Sequence, residues 1–377
     1  MTKMKKRFSL GIGLLILFCI AGYILYLRRD KSLPAPTLNP TFVGDSAELK
    51  TTKIFATLDA PIEKGKNTIW CASFLCAWKS LETDLAKEPV SLEGSPELAE
   101  LLNKAADPRP NIPQDILYTA VGWNDKGIIQ KIHDDLKKNF PDAAPPEFPE
   151  ILPDSFVAYA YLEASLKFTI PYFQNRKPMI FTDSTGRQTE VNSFGIRKED
   201  DYAYDKLRNQ PRILYMSRDE QYDLEECIID LDHASEPIQI ILALIEPRAN
   251  LAETIESLNT KVAGEKEQNT ISPVDVMLVP DIYFRISHHY SEIEWKKFEN
   301  AALENQQLDA AMQDISFRLD RSGAELKSEA KEYCKPAETY FIFNRPFLIC
   351  MKTRGTKEPF FVMWVDNAEL LNPWRSQ

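Results

Sequence analysis

Residues Leu10 to Leu27 form an uncharged, almost wholly apolar run close to the first residue. A helix needs about 20 such residues, with a usable minimum near about 17, to cross the hydrocarbon core of a bilayer. Lys3, Lys5, Lys6 and Arg7 precede the run, and Arg28, Arg29 and Lys31 follow it. Tyr23 and Tyr26 lie near its far end, where amphipathic rings favour the membrane interface. The alternative is a cleaved signal peptide, which has a shorter apolar core and a small-x-small cleavage site. Charged residues follow Leu27 instead, and bulky Phe18 argues against lipidation at Cys19. The expected organisation is a cytoplasmic tail at 1–9, a transmembrane anchor at 10–27, a proline-rich linker at 28–44 and a globular domain at 45–377. Pro34, Pro36 and Pro40 keep the linker extended and semi-rigid. The excess of Lys and Arg ahead of the anchor places the N-terminus inside. The protein is thus expected to be single-pass, with its domain outside the cytoplasm, periplasmic or extracellular.

The formal charge of -11 argues against nucleic acid as a partner and against broad adhesion to anionic lipid. Beyond the anchor lie Cys71, Cys76, Cys227, Cys334 and Cys350. This odd, sparse set is not a disulfide framework, though an oxidising compartment leaves room for one bridge. Cys71 and Cys76 sit in an apolar run and read as core residues.

The pattern along the chain is mixed α and β, with helices early and long strands late. Ile69 to Leu81 reads as a buried helix. Ser95 and Pro96 read as the cap and first position of a short helix through Leu102. Ile116 to Val121 reads as a strand, and Gly127 to Phe140 as an amphipathic helix. A proline cluster runs from Pro141 to Pro153, and Phe156 to Leu166 is a long apolar segment. Strands are expected at Glu190 to Ile196, Val274 to Val279 and Ile282 to Ile286. Cys227 to Leu231 and Ile238 to Leu244 carry a hairpin signal. Leu251 to Leu258 reads as a short helix. Ile315, Phe317 and Leu319 alternate with polar residues as in a half-buried strand. Phe347 to Met351 and Phe360 to Val365 are apolar on both faces, as in central strands of a covered sheet.

Catalytic signals are absent. His133, His233, His288 and His289 lack the spacing of a helical metal pair, and there is no Cys-x-x-Cys. No nucleophile-elbow serine is present. The acidic stretch Asp219, Glu220, Asp223, Glu225, Glu226, Asp230 and Asp232 lacks calcium-loop spacing. It reads as carboxylates on the solvated side of strands. The six tryptophans read as core packing. Neither a metal nor a cofactor is expected, and the chain does not read as an enzyme.

Several stretches resemble the serpins, a family of protease inhibitors and their non-inhibitory relatives. Phe343-Asn344-Arg345-Pro346-Phe347-Leu348, then a turn and Glu358-Pro359-Phe360-Phe361, is similar to the family's F-N-K-P-F, apolar strand, turn and P-L-F. Ile315 to Leu319 with Asp320-Arg321-Ser322-Gly323-Ala324-Glu325 resembles the strand that enters the reactive loop. Cys227 to Pro247, Leu278-Val279-Pro280, Phe156 to Phe173 and, weakly, Asn67 to Trp78 resemble further family segments in family order. The resemblance implies an α+β fold of helices packed on large mixed β-sheets, preceded here by one transmembrane helix. It also departs from the family. Cys71, Ala72 and Phe74 replace its serine, proline and serine, and Phe168 and Tyr172 replace a tryptophan and a phenylalanine. Only the proline-rich 141–153 occupies the place of a family helix over the main sheet.

The resemblance also implies a reactive loop near 323–342 that a protease cleaves and that then inserts as a strand. The hinge would be Gly323, Ala324, Glu325, Leu326, Ser328 and Ala330, and the bait lies among Lys335, Pro336, Ala337 and Glu338. Ala324, Leu326, Ser328 and Ala330 share one face of an extended chain and carry no charge, which suits insertion. Leu326 is large for that face, and Glu332 would follow it inward. Two readings follow: a monomeric, anchored inhibitor whose partner is a serine protease, and a non-inhibitory serpin-like binding or structural module.

Overall fold

The computed structural model describes residues 38–374 apart from 142–145, 147, 149–151, 153–154, 164–165, 198–203, 266–268 and 322–338. The expected anchor at 10–27 therefore lies outside the described residues, as do every hinge and bait position and Cys334. No helix among the described residues is long and apolar enough to cross a membrane. The chain divides into Met1–Asn39 and Pro40–Gln377, and the architecture below is that of the second unit.

It begins with β1 (Phe42–Asp45), β2 (Thr52–Phe55) and β3 (Asn67–Cys71). Helix α1 (Ala72–Ser80) follows β3 directly and runs on into a π turn at Leu81–Ala86. The single helix expected from Ile69 is thus a strand and then a helix. A continuous apolar run has no period that separates the two. Thr68, Ile69 and Trp70, β-branched or aromatic, join the sheet. Helix α2 (Glu97–Lys104) has Pro96 at its N-cap position, so Ser95 is not the cap; Ser95 sits at φ +43° just ahead of it.

β4 (Leu117–Trp123), α3 (Ile128–Asn139) and β5 (Phe156–Leu162) form a local unit. β4 and β5 pair antiparallel. Ile128, Ile132 and Leu136, on one face of α3, pack with Ala120 and Val157 on one side of that pair. Val121, Phe156 and Ala158, on the other side, meet the main core. Helix α3, its apolar face set by the 3.6-residue period, covers one side of this pair; most of 141–153, read as standing in the place of a family helix, lies outside the described residues.

The chain continues through β6 (Phe173–Gln174), the hairpin β7 (Met179–Thr182) and β8 (Gln188–Val191), and β9 (Ser193–Ile196). One strand was expected over 190–196. Two form, because Asn192 carries the chain from the hairpin into another sheet, its N–H donating to the Asn372 carbonyl at 2.9 Å. β10 (Arg212–Arg218), β11 (Leu224–Asp230) and β12 (Ile238–Leu244) form an antiparallel meander. Helix α4 (Leu251–Gly264) is capped by the Asn250 side chain, which accepts from the Glu253 N–H. β13 (Val276–Pro280), β14 (Ile282–His289), the short pair β15 (Lys296–Lys297) and β16 (Gln307–Leu308), and β17 (Met312–Leu319) follow. β18 (Tyr340–Ile342), β19 (Phe347–Thr353) and β20 (Pro359–Val365) complete the strands.

Three sheets dominate, ordered β10-β11-β12-β19-β20-β3-β2, β1-β14-β17 and β18-β13-β9-β6. In the first, β12, β20 and β3 are buried along their whole length and β19 along most of it. The doubly apolar runs at Phe347 and Phe360 are therefore the central strands they were read as. Each large side chain buried there contributes about 1.5–3 kcal/mol. In the third sheet Gly195 has a steric reason: a Cβ there would lie 1.8 Å from the Met277 carbonyl oxygen.

Candidate functional site: two open strand edges and a buried joint

β17 buries Gln313, Ile315, Phe317 and Leu319 and exposes Met312, Asp314, Ser316 and Arg318, as its alternation predicts. Phe317 stacks on Phe361 of β20 with ring centroids 4.6 Å apart. Gln313 is the polar member of the inward set. Its Nε2 donates to the Cys71 carbonyl at 3.0 Å and to Ser73 Oγ at 2.8 Å, and its Oε1 accepts from the Tyr290 hydroxyl at 2.7 Å. These bonds tie the start of β17 to the junction of β3 and α1.

β17 pairs with β14 and β5 pairs with β4, each along one edge. Among the described residues, neither has a strand on its other edge. Helix α1 packs against β4, β5 and β17, so both open edges belong to strands resting on one helix. Burial, and then the charge of Asp314 on β17, push the Tyr159 phenol of β5 up to about 12. An open edge presents unpaired N–H and C=O groups, which is a template for an added strand.

The two ends of 322–338 are held in different sheets. β17 ends at Leu319, and two residues on Arg321 Nε donates to the Tyr172 carbonyl at 2.9 Å. The chain returns at Thr339, whose N–H donates to Asp275 Oδ1 at 2.9 Å and whose hydroxyl accepts from Arg218 Nη2 at 2.7 Å. β18 then pairs parallel with β13.

These two sheets are joined where β13 passes into β14, at Asp281. Its side chain is 2% exposed. Oδ2 accepts from Gln174 Nε2 at 2.8 Å, while Oδ1 has no hydrogen-bond partner among the described residues. Burial pushes this carboxyl up to about 7; Gln174 and the nearby Arg321 and Arg318 oppose the rise, and Asp320 adds to it. The sequence reading missed Asp281 and Gln313. Both carried a signal: Asp281 stands between two apolar strands, and the period of Ile315, Phe317 and Leu319 puts Gln313 on the inward face.

All four histidines are hydrogen-bonded. His133 Nε2 meets the Pro146 carbonyl at 3.2 Å and His233 Nδ1 the Gln210 carbonyl at 2.8 Å. His288 Nδ1 meets Ser46 Oγ at 2.7 Å and His289 Nδ1 meets Glu294 Oε1 at 2.9 Å. Cys71, Cys76, Cys227 and Cys350 are buried free thiols. The acidic stretch needs correction. Asp230 and Asp232 are buried; Asp230 pairs with Arg354 and Glu226 with Lys261. Strand alternation hid this, because their partners lie far away in sequence. Trp70, Trp78 and Trp364 are core residues, but Trp295 is 68% exposed.

No protein-family model and no curated protein matches the chain. Solved structures similar to it include thyroxine-binding globulin in complex with thyroxine, at 12% identity and a TM-score of 0.47, covering 82% of this chain and 94% of that one. Native protease nexin-1 with heparin is 10% identical with a TM-score of 0.49, covering 80% and 92%. Mouse protein-Z dependent protease inhibitor is 14% identical with a TM-score of 0.48, covering 81% and 91%. All three are serpins, and the likeness is one of chain trace.

Proposed function

We propose that this chain is a membrane-anchored, extracytoplasmic serpin-like protein. In this reading, segment 322–338 is bait for a serine protease and, once cut, enters between β5 and β17 as an added strand that disables the protease. The observation that carries it is that β17, the strand that precedes 322–338 in the sequence, has an open edge among the described residues, and that β5, resting on the same helix α1, has one too. Insertion gains strand pairing along two edges and burial of every second side chain. The uncharged set Ala324, Leu326, Ser328 and Ala330 suits that face.

The tether supports the same reading. Thr41 N–H donates to the Tyr283 carbonyl at 2.6 Å, and Tyr283 pairs with Arg318 near the end of β17. The described domain thus has its first residues close to the end of β17. With an anchor at 10–27, the bait is held near the membrane, and its target works there too.

The test is to nick 322–338 with a non-target protease and melt the product. A large rise in Tm, together with an SDS-resistant complex with a target protease, is expected. No rise and no complex would sink the inhibitory mechanism. The second reading, a non-inhibitory serpin-like module, is favoured by Leu326 and Glu332 on the inward face, since overpacking costs about 1–3 kcal/mol and an unpaired buried carboxylate more. In that case the nicked protein melts where the intact one does.

A further inference from the structure

Asp281 is the single residue between two strands of different sheets. One sheet releases the chain after β17, and the other takes it back at β18. Its backbone is fixed on both sides, the N–H donating to the Asn192 carbonyl at 2.9 Å and the carbonyl accepting from Asn372 N–H at 2.8 Å. Its carboxyl meets the uncharged Gln174 of β6, and the residues that hold its backbone, Asn192 before β9 and Asn372 in the C-terminal strip, are uncharged as well. The charged groups that face it come from the end of β17: Arg318, Asp320 and Arg321. Arg318 is ion-paired with Asp320, and Arg321 donates to the Tyr172 carbonyl. Two carboxyl oxygens therefore share one described donor in a buried place.

We propose that Asp281 is a proton-operated joint between the two sheets, tight when its carboxyl is neutral and loosened when it is ionised. A neutral carboxyl tolerates this setting, whereas a buried carboxylate with one donor is costly until water reaches it. Loosening the β13–β14 junction supplies that water to Oδ1. The acid titrates near neutrality because burial raises it, so the joint responds within the range a secreted or surface protein meets. The inference goes beyond the inhibitory reading and stands or falls separately from it.

The test is amide hydrogen exchange on the full chain in mild detergent, followed by mass spectrometry over peptides covering 276–289 and 366–374. In the wild type, opening is expected to grow by about a further tenfold per pH unit between about pH 5 and 7, on top of the intrinsic rise, and to level off above that. Asp281→Asn keeps an acceptor for Gln174 and is expected to follow the intrinsic rise alone. A wild type with no excess slope overturns the proposal without any variant. So does an Asp281→Asn protein that keeps the excess, or an Asp320→Asn protein that alone abolishes it.

Discussion

Arg354 lies in the turn between β19 and β20 and locks the far end of the seven-stranded sheet. Its Nη1 meets Asp230 Oδ2 at 2.7 Å, its Nε donates to the Ser235 carbonyl at 2.8 Å, and its Nη2 donates to the Asp232 carbonyl at 2.8 Å. Asp230 is 1% exposed, and its other side-chain donor is Gln239, at 2.8 Å. Arg354→Met keeps the aliphatic stem and removes the charge. Asp230 is then a buried carboxylate without its cation, which costs about 3–5 kcal/mol. At about 2.1 cal/mol/K per residue, a unit of this length unfolds with an entropy of about 0.7 kcal/mol/K, so Tm should fall by about 4–7 °C. Scanning calorimetry at pH 7 measures this. Adding Asp230→Asn removes the stranded charge and should recover about half of the loss or more. A fall under about 2 °C, or a double variant as weak as the sum of the singles, would refute the claim that the loss is an unpaired buried charge.

Asp281 also sets a pH profile. Its carboxyl is raised from 3.8 to about 7 in the fold, so the native state binds more protons than the unfolded chain between those values. The stabilisation is full below about pH 4 and is lost as pH rises through 7; relative to Asp281→Asn, thermal melts should show about 4 kcal/mol of it disappear. Gly195→Ala forces a methyl onto the Met277 carbonyl and should yield little folded protein, by expression and circular dichroism. Gly186→Ala, at φ +88° with nothing within 4 Å, should cost only about 1 kcal/mol. Burial pushes the Cys227 and Cys350 thiols up to about 12, so neither should react with a thiol reagent at pH 8 until denaturant is added; fast labelling of either would show that the core around it opens.

What the sequence disclosed followed the range of the interaction involved. β17, β19, β20, the β11–β12 hairpin and α3 were legible, because alternation and the 3.6-residue period are local. The division of Ile69 to Leu81 was not, since it depends on β3 pairing with β20 from the other end of the chain. Asp230 read as a surface carboxylate because Arg354 is distant in sequence. The hinge and bait positions, Gly323 to Ala330 and Lys335 to Glu338, rest on resemblance and alternation. The structure supplies the strand ends that bracket them. It also supplies Gln313, which fastens β17 to β3 and α1.

The edges of the three-stranded sheet explain why an added strand would form in one place. Its outer edge is β1, 4 residues long and ending in a 3₁₀ turn capped by Asp45. A strand that short offers little pairing, which is a common way to blunt an edge. The other edge is β17, with 8 residues in strict alternation, and β5, which rests on the same helix α1, has 7. An incoming strand of that length spans about 25 Å at about 3.3 Å per residue, and 322–338 supplies enough chain to lie along it. Short β1 thus blunts one edge of this sheet, while the longer β17 edge stays open among the described residues. Lengthening β1 by grafted β-branched residues should therefore create a second site for edge pairing, read as concentration-dependent self-association by analytical ultracentrifugation. A protein that stays monomeric would mean that edge length is not what selects the β17 side.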